Sequence, residues 1–151
     1  MNTSSQAQFG LVDNRFLAKS VGLMNPPTPE LLAHDATLRD AIEMMQSRRI
    51  GCVLVTDDDG KISGVFTERD VLLKTVLKDI APDTPISELM TPSPQCITMT
   101  ENVAFALQLM SSGGYRHVPI VDNDIPVGII SVKDIVDFIV RSVTSEVEAL
   151  A

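Results

Sequence analysis

Apolar residues recur with helical spacing at two places in the chain. Leu38, Ala41, Ile42 and Met45 fall at i, i+3, i+4 and i+7, and so do Val103, Ala106, Leu107 and Met110. That spacing predicts two amphipathic helices, each turning one face to a core. After each comes a short apolar run rich in β-branched residues, Val53-Leu54-Val55 or Val118-Pro119-Ile120-Val121. An acidic turn and a second run ending in Val65-Phe66 or Ile129-Ile130 follow, which predicts two adjacent strands joined in a hairpin. A further helix closes each pattern, over 68–79 and 132–148.

The two patterns keep register with one another. Pro29, Leu38, Ala41, Ile42, Met45, Ser47, Val53 and Asp57 face Pro94, Val103, Ala106, Leu107, Met110, Ser112, Val118 and Asp122 at one constant offset. The offset shortens by one residue in the turn Asp57-Asp58-Asp59-Gly60 against Asp122-Asn123-Asp124, where a loop tip absorbs a deletion. It then holds through Gly64/Gly128 and Asp70/Asp134. The chain therefore contains an internal repeat of order strand, helix, strand, strand, helix. Three strands cannot bury both faces alone, whereas two such units packed together can.

The expected organisation is a flexible N-terminal arm over 1–20, with a short helix around Phe16-Leu17-Ala18, a first repeat over 21–80, a second over 81–142 and a helical extension over 143–151. Each repeat has a proline-ended lead-in, Val21-Gly22-Leu23-Met24-Asn25-Pro26-Pro27 or Ile86-Ser87-Glu88-Leu89-Met90-Thr91-Pro92. Proline lacks a backbone donor and stops a preceding helix, so each repeat is expected to start in extended chain.

Composition narrows the chemistry. With 151 residues and 44% apolar content, the chain can fill one compact domain or two half-domains sharing an interface. A formal charge of -8 argues against a nucleic-acid surface, which needs clustered Lys and Arg, but leaves room for a basic pocket for a small anion. Cys52 and Cys96 occupy non-equivalent repeat positions without CxxC spacing. They are expected to be thiols in a reducing compartment and imply no metal. The start Met1-Asn2-Thr3-Ser4-Ser5-Gln6 lacks the character of a signal peptide, and no apolar run approaches the roughly 18 residues of a membrane span. The expectation is a soluble cytoplasmic protein with no membrane or nucleic-acid partner.

Each repeat ends in one signature, Gly64-Val65-Phe66-Thr67-Glu68-Arg69-Asp70 or Gly128-Ile129-Ile130-Ser131-Val132-Lys133-Asp134. Thr or Ser followed three residues later by an acid reads as a helix cap. The same geometry also suits a nucleotide. A helix N-terminus attracts phosphate, the hydroxyl adds a donor, and the acid can accept both hydroxyls of a ribose. Gly64 and Gly128 allow close approach of a ligand or a neighbouring strand. A second constellation, Tyr115-Arg116-His117-Val118-Pro119, enters a strand. Arg116 offers a planar fork for phosphate oxygens and His117 a further donor, or the pair is simply a solvated Arg and a partly buried His.

Taken together, the paired signatures and Tyr115-Arg116-His117-Val118-Pro119-Ile120-Val121-Asp122 resemble the CBS-domain pair, over roughly residues 20–142. The resemblance implies an α/β (α+β) fold of two pseudo-twofold-related β-α-β-β-α repeats packed sheet to sheet, with clefts that bind adenosine-containing ligands. AMP, ADP or ATP is the expected ligand, with S-adenosylmethionine or NAD as further members of the class. By the same resemblance Asp70 and Asp134 hold ribose, and Thr67 and Ser131 contact phosphate. Arg69, Lys133, Arg116 and His117 complete the phosphate site, and Ile97, Val118 and Pro119 lie against adenine. The first repeat has Gly51, Cys52 and Leu54 where the second has Arg116, His117 and Pro119, so the two clefts are expected to differ in affinity. Arg116 and Asp134 either line one cleft, which is favoured, or face across the pseudo-twofold.

The functional expectation is a regulatory module without catalysis, signalling nucleotide occupancy to an unidentified effector protein. The alternative is a structural homodimer with degenerate sites. A homodimer is expected in either case, through the long last helix and through Met44, Met45 and Met110, which either supply apolar surface or pack in the core. A catalytic role would call for a nucleophile with a placed base or a metal cluster, and the only histidines are His34 and His117.

Overall fold

In the computed structural model, which describes residues 14–150, helices and strands alternate as the repeat requires. The order is α1 (Asn14–Leu17), a 3-10 turn (Val21–Met24), β1 (Leu31–Ala33), α2 (Leu38–Arg48), β2 (Cys52–Thr56), β3 (Ile62–Thr67) and α3 (Glu68–Lys74). A second 3-10 turn (Ile86–Glu88), β4 (Thr91–Pro92), α4 (Val103–Gly113), β5 (His117–Asp122), β6 (Ile125–Ser131) and α5 (Val132–Leu150) complete it. The arm expected over 1–20 falls largely outside the described residues; its short helix is α1.

Local chemistry sets the helix boundaries. Thr37 caps α2 through a reciprocal box with Asp40, and Arg49, left-handed at φ 53°, ends it. Asn102 accepts from the Phe105 N–H to cap α4, and Gly114, at φ 69°, turns the chain out of it. The third helix is shorter than the 68–79 the sequence predicts. It stops at Lys74, because the Thr75 hydroxyl donates to the Val71 carbonyl at 2.6 Å and Leu77 and Asp79 both take left-handed φ of 58°. Successive helical turns cannot continue through left-handed residues.

The chain forms two compact units, which cut across the order of the repeats. One unit holds residues 28–96 and 119–128. Here β1 runs parallel to β2, β3 runs antiparallel to β2, and β4 pairs antiparallel with β3 through Gly64 with Pro92 and Val65 with Thr91. Leu32, Leu38, Ala41, Met45, Val53, Val55, Phe66, Ile86 and Leu89 form its core. Burying side chains of this kind contributes about 1.5–3 kcal/mol each before conformational entropy is counted.

Among the described residues the other unit holds 14–27, 97–118 and 129–150. Phe16, Val21, Ile97, Val103, Ala106, Met110, Val118, Ile130 and Ile135 are buried in it, and the Phe16 and Phe138 rings lie 5.7 Å apart. Met45 and Met110 are therefore core residues, and Met44 packs partly buried against the core. They do not supply exposed apolar surface; helical periodicity gives a residue's face but not what that face meets.

Matching hydrogen bonds explain why the units cut across the repeats. The lead-in before the second repeat binds the cap of α2: Leu38 N–H donates to Thr84 O at 2.9 Å and Ile86 N–H to Ala36 O at 2.7 Å. The lead-in before the first repeat binds the cap of α4 in the same pattern, with Val103 N–H to Lys19 O at 2.9 Å and Val21 N–H to Glu101 O at 2.8 Å. The bridges Thr37 with Pro85 and Ser20 with Asn102 repeat the correspondence. Each lead-in thus serves the helix of the opposite repeat, and its buried Val21 or Ile86 joins that repeat's core.

Candidate functional site

The two signatures sit at equivalent places and begin with the same bond. In the first repeat Glu68 N–H donates to Gly51 O at 2.9 Å; in the second Val132 N–H donates to Arg116 O at 3.1 Å. This bond ties the chain entering β2 or β5 to the first turn of the closing helix. The capping boxes expected from the sequence form in both. Thr67 N–H donates to Asp70 Oδ2 at 3.0 Å, and Asp70 N–H returns to Thr67 Oγ1 at 3.2 Å. Ser131 N–H donates to Asp134 Oδ2 at 2.8 Å, and Asp134 N–H returns to Ser131 Oγ at 3.0 Å.

Capping does not by itself exclude ligand binding, since the box uses Oδ2 and leaves Oδ1 outside it. In the second repeat Arg116 stands between the left-handed Gly114 and β5, exposed, with its carbonyl held on α5. Its guanidinium charge and the positive end of the 19-residue α5 both favour an anion. Ile97, Arg116, His117, Val118, Ser131, Lys133 and Asp134 all belong to this one unit. Ile97 and Val118 are buried, and His117 is half-buried at the start of β5. Lys133 is turned along the helix, donating to Asp137 Oδ2 at 3.0 Å; that bond raises its pKa and holds its charge one turn further along.

Thr67, Arg69, Asp70 and Pro119 belong to the other unit. Arg69 is exposed on α3 and Pro119 is buried in β5. Around Asp70 the surroundings differ from those of Asp134. Lys74 Nζ lies 3.2 Å from Asp70 Oδ1 and also donates to the Leu89 carbonyl at 2.9 Å. The position equivalent to Lys74 in the second repeat is Phe138. A Cβ on Gly51 would come within 2.9 Å of Glu68 Oε1, so the Glu68 carboxylate covers the backbone where the second repeat carries Arg116. Glu68 also lines a groove of about 250 Å³ with Ile42, Met45, Gln46, Ile50 and Val71. Gly64 is needed for close approach, and Met90 of the lead-in is what lies against it.

Cys52, the counterpart of His117, is buried in β2, and burial pushes its thiol up to about 12, with the Asp70 carboxylate adding to the rise. Burial likewise pushes Cys96 up to about 11, reinforced by Asp124. The contributions of Lys74 and Glu68 were not singled out from sequence. The i, i+4 spacing of Asp70 and Lys74 is a legible signal, but the Leu89 carbonyl that completes the arrangement is not. Among the described residues no group of His, Cys, Asp and Glu could hold a metal ion, and no helix is long and apolar enough to cross a membrane.

Comparison with known proteins decides the family. The CBS-domain family profile matches twice, at residues 18–76 and 86–141. This chain belongs to the CBS-domain family. It is 29% identical over 141 residues, 92% of its length, to the CBS domain-containing protein CBSCBSPB5 of Arabidopsis thaliana, and spans 26% of that protein. Among solved structures, a CBS-domain-containing protein from Agrobacterium tumefaciens aligns at TM-score 0.69 and 27% identity, covering 79% of this chain and 98% of the other. A CBS domain protein from Pyrobaculum aerophilum, solved in complex with AMP, aligns at TM-score 0.70 and 24% identity over 76% of this chain and 88% of its own, a likeness of fold. The two CBS repeats are thus an α+β pair, and the two signatures are corresponding places in them.

Proposed function

We propose that this CBS pair is a regulatory, non-catalytic module that binds an adenine nucleotide, AMP, ADP or ATP, at the signature of its second repeat. The observation that carries this reading is the Val132 to Arg116 bond, which fixes a guanidinium-bearing residue at the helix start where Asp134 presents its carboxylate. In this reading Asp134 Oδ1 accepts from the ribose hydroxyls, and Ser131 and Arg116 meet phosphate. His117 supplies a further donor, and adenine lies against the apolar side of Ile97 and Val118. The AMP complex of the Pyrobaculum relative supports the ligand class.

The chemistry of the residues favours binding over catalysis. Ser131 Oγ accepts the Asp134 N–H as a cap rather than standing beside a base, and both thiols are held protonated near neutral pH. Occupancy is read by an effector protein through a homodimer. The surface that suits such a dimer is the exposed stripe Val132, Val136, Val140 and Val147 along α5.

A thermal scan tests the ligand. AMP, ADP or ATP at 100 times its dissociation constant stabilises by about 2.7 kcal/mol, which raises Tm by about 5–10 °C for a chain of this size. GMP and GTP raise it far less. Flat curves with every adenosine compound would favour the alternative of a structural homodimer with degenerate sites.

A further inference from the structure

Three donors from within the protein already meet the carboxylate of Asp70. Its Oδ2 takes the Thr67 N–H at 3.0 Å and the Thr67 hydroxyl at 3.1 Å, and its Oδ1 faces the Lys74 ammonium at 3.2 Å. Lys74 is held from the other side by the Leu89 carbonyl at 2.9 Å, so one ammonium joins α3 to the segment leading into β4. The Asp70 side chain is only 15% exposed. A ribose offers two adjacent hydroxyl donors and needs open lone pairs on its acceptor. To take both hydroxyls at Asp70 it would have to compete with Lys74 and draw the counter-charge from a half-buried ammonium.

An independent observation concerns the phosphate end. The place of Arg116 is taken by Gly51, and the Glu68 carboxylate lies over it. A phosphate arriving there meets like charge in place of a guanidinium, and juxtaposed like charges oppose binding.

We infer that Asp70, Lys74 and the Leu89 carbonyl form a structural clip that withdraws the first signature from ligand binding, so that the chain takes one nucleotide, at the second signature. The stoichiometry rests on the reading of the second signature as a nucleotide site; the clip does not. In the clip, Lys74 does for the first repeat what a ligand does for the second: it satisfies the signature carboxylate and fixes the start of the closing helix. Leu89 is buried, so the tie fastens α3 to core already present.

Calorimetric titration of the full chain with AMP and with ATP tests the stoichiometry, and thermal melts of single and double variants test the clip. The expected stoichiometry is one ligand per chain. Asp70→Asn leaves the AMP dissociation constant within about twofold, while Asp134→Asn raises it at least about tenfold. Asp70→Asn and Lys74→Met each lower Tm by about 2–4 °C, and the double variant falls by less than the sum of the two, as expected of partners that share a contact. Two ligands per wild-type chain, or equal loss of affinity from Asp70→Asn and Asp134→Asn, would overturn the single-site inference with the nucleotide reading intact. Absence of any AMP or ATP binding overturns the nucleotide reading and the stoichiometry with it. Additive Tm losses overturn the clip whichever way the titration falls.

Discussion

Gly51 with Glu68 in the first repeat and Arg116 with Val132 in the second make the same backbone bond, at 2.9 and 3.1 Å, yet leave opposite charges beside it. The same holds one turn into the closing helix. Asp70 and Asp134 complete matching capping boxes, but position i+4 brings an ammonium to the first and the phenyl ring of Phe138 to the second. The backbone scaffold is duplicated, and three side-chain exchanges decide what it holds. In one copy Lys74 meets the signature carboxylate and Glu68 lies over Gly51; in the other the corresponding places carry Phe138, Val132 and an exposed Arg116. The comparison teaches that a shared signature fixes helix geometry, and that the residues around it set the charge each copy presents.

Breaking the ligand side of the comparison gives the largest expected effect. Asp134→Asn keeps size and part of the capping ability, but weakens charge-assisted hydrogen bonds worth roughly 1.5–3 kcal/mol. Affinity for AMP should fall by about tenfold to a hundredfold in a calorimetric titration. A 2′,3′-dideoxy nucleotide, which lacks both hydroxyls, should bind wild type as weakly as the ribose parent binds the variant. If the dideoxy compound binds wild type as well as its parent, Asp134 is a cap and nothing more.

Arg116→Ala comes next. It removes the charge that the first repeat lacks, so ATP and AMP should lose about tenfold in affinity, more with more phosphate, while adenosine is barely affected. Equal losses for adenosine and ATP would mean that Arg116 supports the fold through its place against α5.

On the structural side, Lys74→Met should lower unfolding free energy by about 1 kcal/mol, the scale of a partly exposed ion pair with one added hydrogen bond. Phe138→Leu in the second repeat should leave ligand affinity unchanged and act through loss of the Phe16 ring contact alone. Chemical denaturation of both variants would show whether position i+4 of each signature is structural.

The smallest effect at neutral pH concerns Cys52 against its counterpart His117. The folded-state thiol pKa of about 12 lies above its ordinary value near 9, so its contribution to stability is fully present below 9 and is lost as pH rises toward 12. Urea midpoints measured between pH 9 and 11 should fall more steeply for wild type than for Cys52→Ala. Equal slopes would show that the thiol ionises as readily folded as unfolded.

Much of this molecule is legible in its sequence because the signals are local. Apolar residues at i, i+3, i+4 and i+7 specify α2 and α4, the Thr67/Asp70 and Ser131/Asp134 spacings specify two capping boxes, and a constant offset specifies the repeat. The resemblance to the CBS-domain pair rests on these together. The candidate residues Arg116, Ser131 and Asp134 were also legible, as residue types suited to phosphate and ribose. Lys133 enters the phosphate site only through the family resemblance, and its bond to Asp137 shows where its charge points.

The tertiary structure decided the rest, since it concerns segments distant along the chain. Residue spacing does not say that the lead-in before one repeat caps the helix of the other, because burial of Val21 and Ile86 is worth the same in either core until the chain path is known. Nor does it say that α3 stops at Lys74, that Leu89 turns its carbonyl to that lysine, or that Glu68 lies over Gly51. Local patterns fix which faces and caps exist. Which acceptor or charge each one meets is fixed by packing, and in this chain that sets Asp70 against Lys74 and Gly51 against Glu68.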